Sequence, residues 1–384
     1  MIAFRALQGL GAGAITPVAT TLIANIYGPH ERAKAQGYLA SVWGVSAIIG
    51  PLLGAFIVQH FHWSIVFWIN LPIGVVAMII LARYLPPDAA KKNHALDLAG
   101  TALLSFAVAA LLLALLQAEE LGYYSLVLVG AAIIAAFLLI RQERRAPEPL
   151  FPLSLWQNNV VIAANIGGLI LGASMMGISA FLPTYIQGVL GGTPLQAGAT
   201  LALMSIGWPL ASTLSGNLMQ ATSYRFTVLL GTLSLIAGSV ILLLLSPGSG
   251  LWWARIAAFM IGVGMGLCNT TFIVSVQNSV EVSVRGIATA STLFTRMLGS
   301  ALGTAVLGAT LNLNLQSRLP GMSDPVQTLM DKPLRQHLTD EHLNHLIEQV
   351  SASLHWVFVL AAIISILAMT AVFLIPRGQR PIKK

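Results

Sequence analysis

Charge is what this sequence has least of. Only 9% of its 384 residues are Asp, Glu, Lys or Arg, where a soluble domain carries about 25%. Hydrophobic residues make up 56%, and mean hydropathy is +0.81. That balance excludes a soluble domain and implies a chain that crosses a membrane repeatedly. Cysteine is nearly absent: Cys268 stands alone, which excludes an internal disulfide and any thiolate metal cage. Acidic residues are missing from the middle of every apolar run; Asp97 opens one, and the others fall in loops or tails. An intramembrane enzyme needs His/Asp/Glu clusters or nucleophile–base pairs inside such runs, and none is there. Gly9-x-Gly-x-Gly13 is no phosphate loop, because no strand precedes it and no Lys-Ser/Thr follows. The first apolar run continues for about 26 residues and does not show the basic, apolar and small-residue blocks of a cleavable signal.

What is present is a series of apolar segments, at roughly 1–26, 37–59, 65–85, 97–117, 122–140, 159–183, 196–218, 226–246, 252–275, 287–311 and 354–375. Each is long enough, at ~1.5 Å per residue, to cross ~30 Å of hydrocarbon as a helix. The expected fold is all-α, a polytopic membrane bundle with eleven transmembrane helices. Its 35 glycines, 18 prolines and 8 tryptophans suit membrane helices and their interfacial belts. Placing the 27–36 loop in the cytoplasm gathers most basic residues there, including Arg32, Lys34, Lys91, Lys92, Arg141, Arg144, Arg145, Arg225 and Arg285. Arg318, Lys332 and Arg335 remain outside. The asymmetry sets the C-terminus in the cytoplasm. The net charge of +7 is therefore a topology signal and requires no nucleic acid.

Small residues line one face of the second segment: Gly37, Ser41, Gly44 and Ala47, then Ser46, Gly50 and Gly54. A backbone can approach closely along such a stripe, and Pro51 loosens the helix where the stripe is densest. An internal repeat also emerges. A shift of 253 residues lays Gly9, Gly11 and Gly13 on Gly262, Gly264 and Gly266, Asn25 on Asn278, Arg32 on Arg285, Ala35 on Ala288 and Gly50 on Gly303. One register held through a glycine-rich helix, a basic turn and a second small-residue helix is what parallel transporter halves give.

Within the spans, Arg296 lies about ten residues past Gly286, so ~15 Å deep at ~1.5 Å per residue. A charge at that depth is costly unless it faces water, carbonyls or an anion. A role in the transport cycle and a structural lock to carbonyls are both open for it. Asn70, Asn165, Asn217, Asn269 and Gln277 are uncharged polar residues in spans, where bonds between helices are the common outcome. Met175, Met176, Trp208 and Phe272 offer either a soft apolar wall or ordinary packing. His337, His342 and His345 lie in an amphipathic stretch, 312–353, that reads as a solvated helix end rather than a zinc site; no metal is expected.

The run Ser46-xxx-Gly50-Pro51-xx-Gly54, followed by Trp63 and Phe67-Trp-Ile-Asn-Leu-Pro-Ile-Gly74, resembles the antiporter motif of the major facilitator superfamily, in its fourteen-helix drug:proton antiporter branch. Ala55 stands where the family usually has a second glycine, and Trp63-Ser64-Ile65 replaces an aromatic-Arg-aromatic run. The resemblance implies proton-coupled efflux of hydrophobic or cationic small molecules by alternating access. A uniporter or importer of another solute and a non-transporting fragment are the alternatives. It also implies a proton gradient in place of any cofactor. An inner or plasma membrane location follows from it, as does a possible partnership with an envelope adaptor or outer-membrane channel. Arg5-xx-Gln8-Gly9 resembles the family's proton-linked pattern, so Arg5 and Gln8 inherit that role, against the plainer reading of Arg5 as an interfacial arginine. Asn165 and Asn269, with Phe272 and Met175, become candidate substrate-lining residues, because they fall on helices that line the cavity in the resembled fold. The implied organisation is an incomplete first half at 1–85 and two inserted helices with a linker at 86–158. A second half at 159–375, with an outer loop at 312–353, and a basic tail at 376–384 complete it. The first helix resembles the family's fourth, which leads us to expect three further helices ahead of it.

Overall fold

The computed structural model describes residues 2–62, 64–85, 97–322, 324–336 and 338–377. Expectations that concern Trp63, Lys91, Lys92, His337 and the tail beyond Arg377 lie outside the described residues. Among those described there is no strand, and eleven long helices carry the fold. They are α1 (Ile2–Ile26), α2 (Pro29–His60), α3 (Ile65–Tyr84), α4 (Leu98–Leu116), α5 (Tyr123–Glu143), α6 (Asn159–Thr184), α7 (Pro194–Ala221), α8 (Tyr224–Leu243), α9 (Leu251–Ser279), α10 (Arg285–Arg318) and α11 (Asp340–Leu367). Ten of them are long and apolar enough to cross a membrane. The other, α2, has 32 residues, or ~48 Å at ~1.5 Å per residue, and contains the expected 37–59 span.

Helix starts are written in short polar side chains. Asp97 Oδ1 accepts from Gly100 N at 2.8 Å to open α4, and Asn158 Oδ1 accepts from Val160 N at 2.9 Å to open α6. Thr193 and Gln196 form a reciprocal capping box at α7, with Pro194 at the first helical position. Ser223 and Thr339 cap α8 and α11. Such caps satisfy backbone N–H groups that a helix cannot pair itself.

The core lies in α6–α11. There the backbones of α6 and α10 touch: Gly299 packs on the Leu169 carbonyl and Gly303 on Ala173. Gly262 and Gly266 bring α9 onto α7 in the same way, against Met204 and Trp208. This is how membrane helices associate where lipid is as apolar as leucine. Helices α4 and α5 pair with each other and meet the rest through α10, whereas α2 lies along α7. None of the described residues of α3 is buried, as a helix turned toward lipid requires.

The expected outer loop at 312–353 is shorter than the sequence implied. Helix α10 continues to Arg318 and α11 already begins at Asp340, because Leu315, Leu346 and Val350 are buried and extend the two apolar faces beyond the spans. Short helices at Pro325–Met330 and Lys332–Gln336 fill the interval.

Candidate functional site

Two features stand where α1 and α2 meet α6–α11. The first is a polar clamp at the turn between α1 and α2. Arg32 donates through Nε to the Tyr27 carbonyl at 3.1 Å, just past the end of α1, and through Nη1 to Asn278 Oδ1 across the boundary. Arg285 does the reciprocal thing. Its Nε reaches the Gln277 carbonyl at 3.0 Å near the end of α9, while Nη1 reaches Asn25 Oδ1 at 3.2 Å and the Ala24 carbonyl at 3.4 Å. Each cation thus sits at a helix C-terminus, where unpaired carbonyls and the helix dipole favour it. Each then extends one arm to the asparagine that the repeat relates to the other's partner. Asn278 also donates to the Tyr224 hydroxyl at 2.9 Å. One layer deeper, Gln36 and Gln277 both donate to the Thr20 carbonyl, each at 3.2 Å.

The second feature is a cavity of about 280 Å³ immediately beyond those glutamines, walled by α1, α2, α6, α7, α9 and α10. Its wall is soft and apolar, with Trp43, Trp208, Met175, Met176, Met204 and Met297 prominent. Polar groups are few: Thr16, Thr20, Gln36, Ser205, Asn269, Thr270 and Ser300. Among the described residues lining it, Arg296 alone is charged. Its Nη1 donates to Asn269 Oδ1 at 3.0 Å, and its guanidinium carbon lies 5.9 Å from the centre of the Trp208 ring, within reach of a cation–π attraction.

The sequence candidates divide accordingly. Arg296, Asn269, Met175 and Gly44 come together on the cavity wall. Asn165 and Phe272 do not line it. Asn165 is 2% exposed and accepts from Ser291 at 2.8 Å and Thr295 at 3.2 Å, tying α6 to α10. Phe272 is 3% exposed and its ring fills the space over Gly167. Both side chains lie on the faces by which α6 and α9 pack within the core, which helix membership alone does not reveal. The tight part of the α2 stripe lies earlier than expected. A Cβ on Gly37 would stand 2.8 Å from Thr213 Cα, and one on Gly44 would stand 2.6 Å from Pro209 Cγ. Among the described residues no atom comes within 4 Å of the corresponding point on Gly50 or Gly54, and Ser46 is exposed. The side chains of Arg5 and Pro51 lie outside the described residues; Gln8 is exposed on α1. Among the described residues no three His, Cys, Asp or Glu side chains gather as metal ligands.

Gln36, Trp43, Met204 and the clamp arginines were not singled out as site residues. The signal for the clamp was nevertheless present, because the repeat pairs Arg32 with Arg285 and Asn25 with Asn278.

An all-helical membrane bundle, closed by polar bonds at one end over a mid-span cavity, has the form of a secondary transporter. The chain matches the Major Facilitator Superfamily over residues 1–304 and belongs to that family, a family of transporters and not of enzymes. It is 28% identical over 400 residues to multidrug resistance protein 3 of Bacillus subtilis, covering 99% of this chain and 78% of that one. It is 31% identical over 321 residues to the multidrug transporter protein MdtP of the same organism, covering 81% and 58%. The methylenomycin A resistance protein of Streptomyces coelicolor is 28% identical over 323 residues, covering 81% and 66%. These relatives are named for drug transport or antibiotic resistance, and the chain spans little more than half the length of several of its relatives.

Proposed function

We propose that this chain carries lipophilic small molecules out across the cytoplasmic membrane in exchange for protons, residues 1–85 and 159–375 rocking about the cavity between them. The observation that carries the reading is the cavity itself, lined from both sequence halves and sealed at one end by the reciprocal Arg–Asn clamp. The positive-inside rule sets the clamp and the C-terminus on the cytoplasmic side, so the described conformation is closed to the cytoplasm. The wall of Met, Trp, Ile and Leu suits hydrophobic occupants, and Arg296 on that wall disfavours cationic ones. Arg5, Gln8 and Arg296 are proposed to link the occupant to proton movement, Arg5 and Gln8 on the strength of the family pattern. The names of the relatives, which concern resistance to drugs, support efflux over uptake.

The test is reconstitution of the 384-residue chain in proteoliposomes with a pH-sensitive dye in the lumen. Addition of a neutral lipophilic dye should drive proton movement, and an imposed pH gradient should accelerate dye movement in the opposite direction. Dye movement at equal rates with and without the gradient would establish a uniporter instead. Folded protein that moves neither dye nor protons would overturn the transport reading.

A further inference from the structure

The cavity holds a permanent positive charge that no described residue around it neutralises. Arg296 lies eleven residues beyond Arg285, ~16 Å along α10 at ~1.5 Å per residue, and an arginine at such depth needs a counter-charge, water or a set of acceptors. A guanidinium carries five N–H donors. Among the described residues one acceptor meets them, Asn269 Oδ1 at 3.0 Å, and the Trp208 ring faces the group at 5.9 Å from Cζ. No carboxylate pairs with it among those residues, and the rest of the fork opens on the cavity. Asn269 is the orienting partner. Its position sets one edge of the guanidinium against α9, with the Trp208 ring beside it.

We infer that the cavity takes lipophilic organic acids as their anions, the carboxylate seated on the free fork of Arg296 and the apolar body against the methionine and tryptophan wall. A planar carboxylate matches the guanidinium in two parallel hydrogen bonds, which an ester, an amide or an ammonium cannot do. The low dielectric of the surroundings strengthens that pair, and Met175, Met176, Met204 and Met297 adapt to different apolar bodies. Ser300, one turn further along α10, lines the same wall, but its hydroxyl is turned back to the Arg296 carbonyl at 3.1 Å and leaves the guanidinium free. The inference rests on the reading of this cavity as the transport site and names what it selects.

The experiment measures binding of three fluorescent probes of one shape to the purified full chain in lipid nanodiscs: 1-naphthylacetate, its neutral amide, and 1-naphthylethylammonium. The acid should bind on the order of tenfold or more tightly than the amide, as expected for one charge-assisted pair, and the ammonium should bind weakest. Arg296→Gln should abolish the preference for the acid, and Arg296→Lys should keep part of it. Should Arg296→Gln fail to fold, Asn269→Asp carries the test. An aspartate there occupies the fork, so it should lower acid affinity on the order of tenfold and leave the amide unchanged. An amide bound as tightly as the acid, or a preference that survives in Arg296→Gln or Asn269→Asp, would overturn the proposal. Parallel proteoliposomes loaded either with 1-naphthylacetate or with a neutral dye separate the two levels. Dye efflux without acid preference refutes the acid site alone, and acid binding without flux of either cargo refutes the transport reading alone.

Discussion

Removing the clamp asparagines one at a time should open the closed end in two steps. Asn25→Ala takes away the Nη1 bond from Arg285 to the asparagine and leaves its weaker reach to the Ala24 carbonyl and its Nε bond to the Gln277 carbonyl; Asn278→Ala takes away the arm from Arg32 and leaves its bond to Tyr27. A hydrogen bond from a charged donor contributes about 1.5–3 kcal/mol. The low end applies here, because Asn25 is exposed and the two guanidinium groups are near enough to repel each other. Each variant should then favour the open state about tenfold, and the pair about a hundredfold, since the arms share no partner. If the open state is about 1% populated in the parent, it rises to about 10% in either single variant and about 50% in the double. The assay is the distance distribution between spin labels at Glu31 and Glu281, both exposed at the clamp end, in a Cys268→Ser background. Thermal unfolding should change little in Asn25→Ala, where the bonds within α6–α11 are untouched, and more in Asn278→Ala, which also loses the bond to the Tyr224 hydroxyl. A double variant with the parent's distribution would refute the clamp as the element that holds this end shut.

Gly44→Ala should displace α2 from α7, because Pro209 Cγ and the Ser205 carbonyl would stand 2.6 and 2.7 Å from the new Cβ; overpacking of this kind costs about 1–3 kcal/mol, read as a lower melting temperature, whereas Gly50→Ala should be neutral. Asn165→Ala should lower stability by up to about 2 kcal/mol, through the lost bonds to Ser291 and Thr295, with probe binding unchanged; Asn269→Ala should do the reverse. Cys268, 1% exposed and held between the Val228 carbonyl and Thr232, should resist a membrane-permeant maleimide until the protein unfolds, as mass spectrometry would show.

The bundle was legible because apolar length is a local property. Each of the eleven segments is long enough to demand a helix in lipid, and each becomes one. The face each helix turns to its neighbours was less legible. Asn165 and Asn269 look alike in sequence, yet one is spent on Ser291 and Thr295 while the other orients Arg296. That difference depends on which neighbour lies on which side. The α2 stripe shows the same limit. Small residues run from Gly37 to Gly54, but close contact occurs only where Pro209 and Thr213 of α7 lie alongside, at Gly37 and Gly44. Arg296 was legible because a charge in a span has few cheap places to be.

The interface between α1–α2 and the rest differs from those inside α6–α11 in how it can come apart. Backbones pressed together at Gly299 and Gly303 admit no sliding. Across the clamp, each donating side chain keeps a bond on its own side of the boundary. Arg32 keeps Tyr27, Arg285 keeps the Gln277 carbonyl, and Gln277 Nε2, which reaches over to Thr20, keeps Thr289 Oγ1 at 3.4 Å. Separation therefore leaves the deep donor, Gln277 Nε2, paired, where a stranded N–H group in the membrane would be the expensive outcome, and releases only the Nη1 groups of the arginines, at the end that opens. Thr289→Val tests this, since it removes the fallback of Gln277 at nearly constant volume while Thr20 still satisfies Gln277 in the closed state. Opening would then leave one buried donor unpaired, at about 1–3 kcal/mol. The label pair at Glu31 and Glu281 should shift toward the short distance, opposite in sign to the asparagine variants, and turnover should slow. A shift toward the long distance, or none, would mean that Gln277 is not one of the bonds that separation must replace.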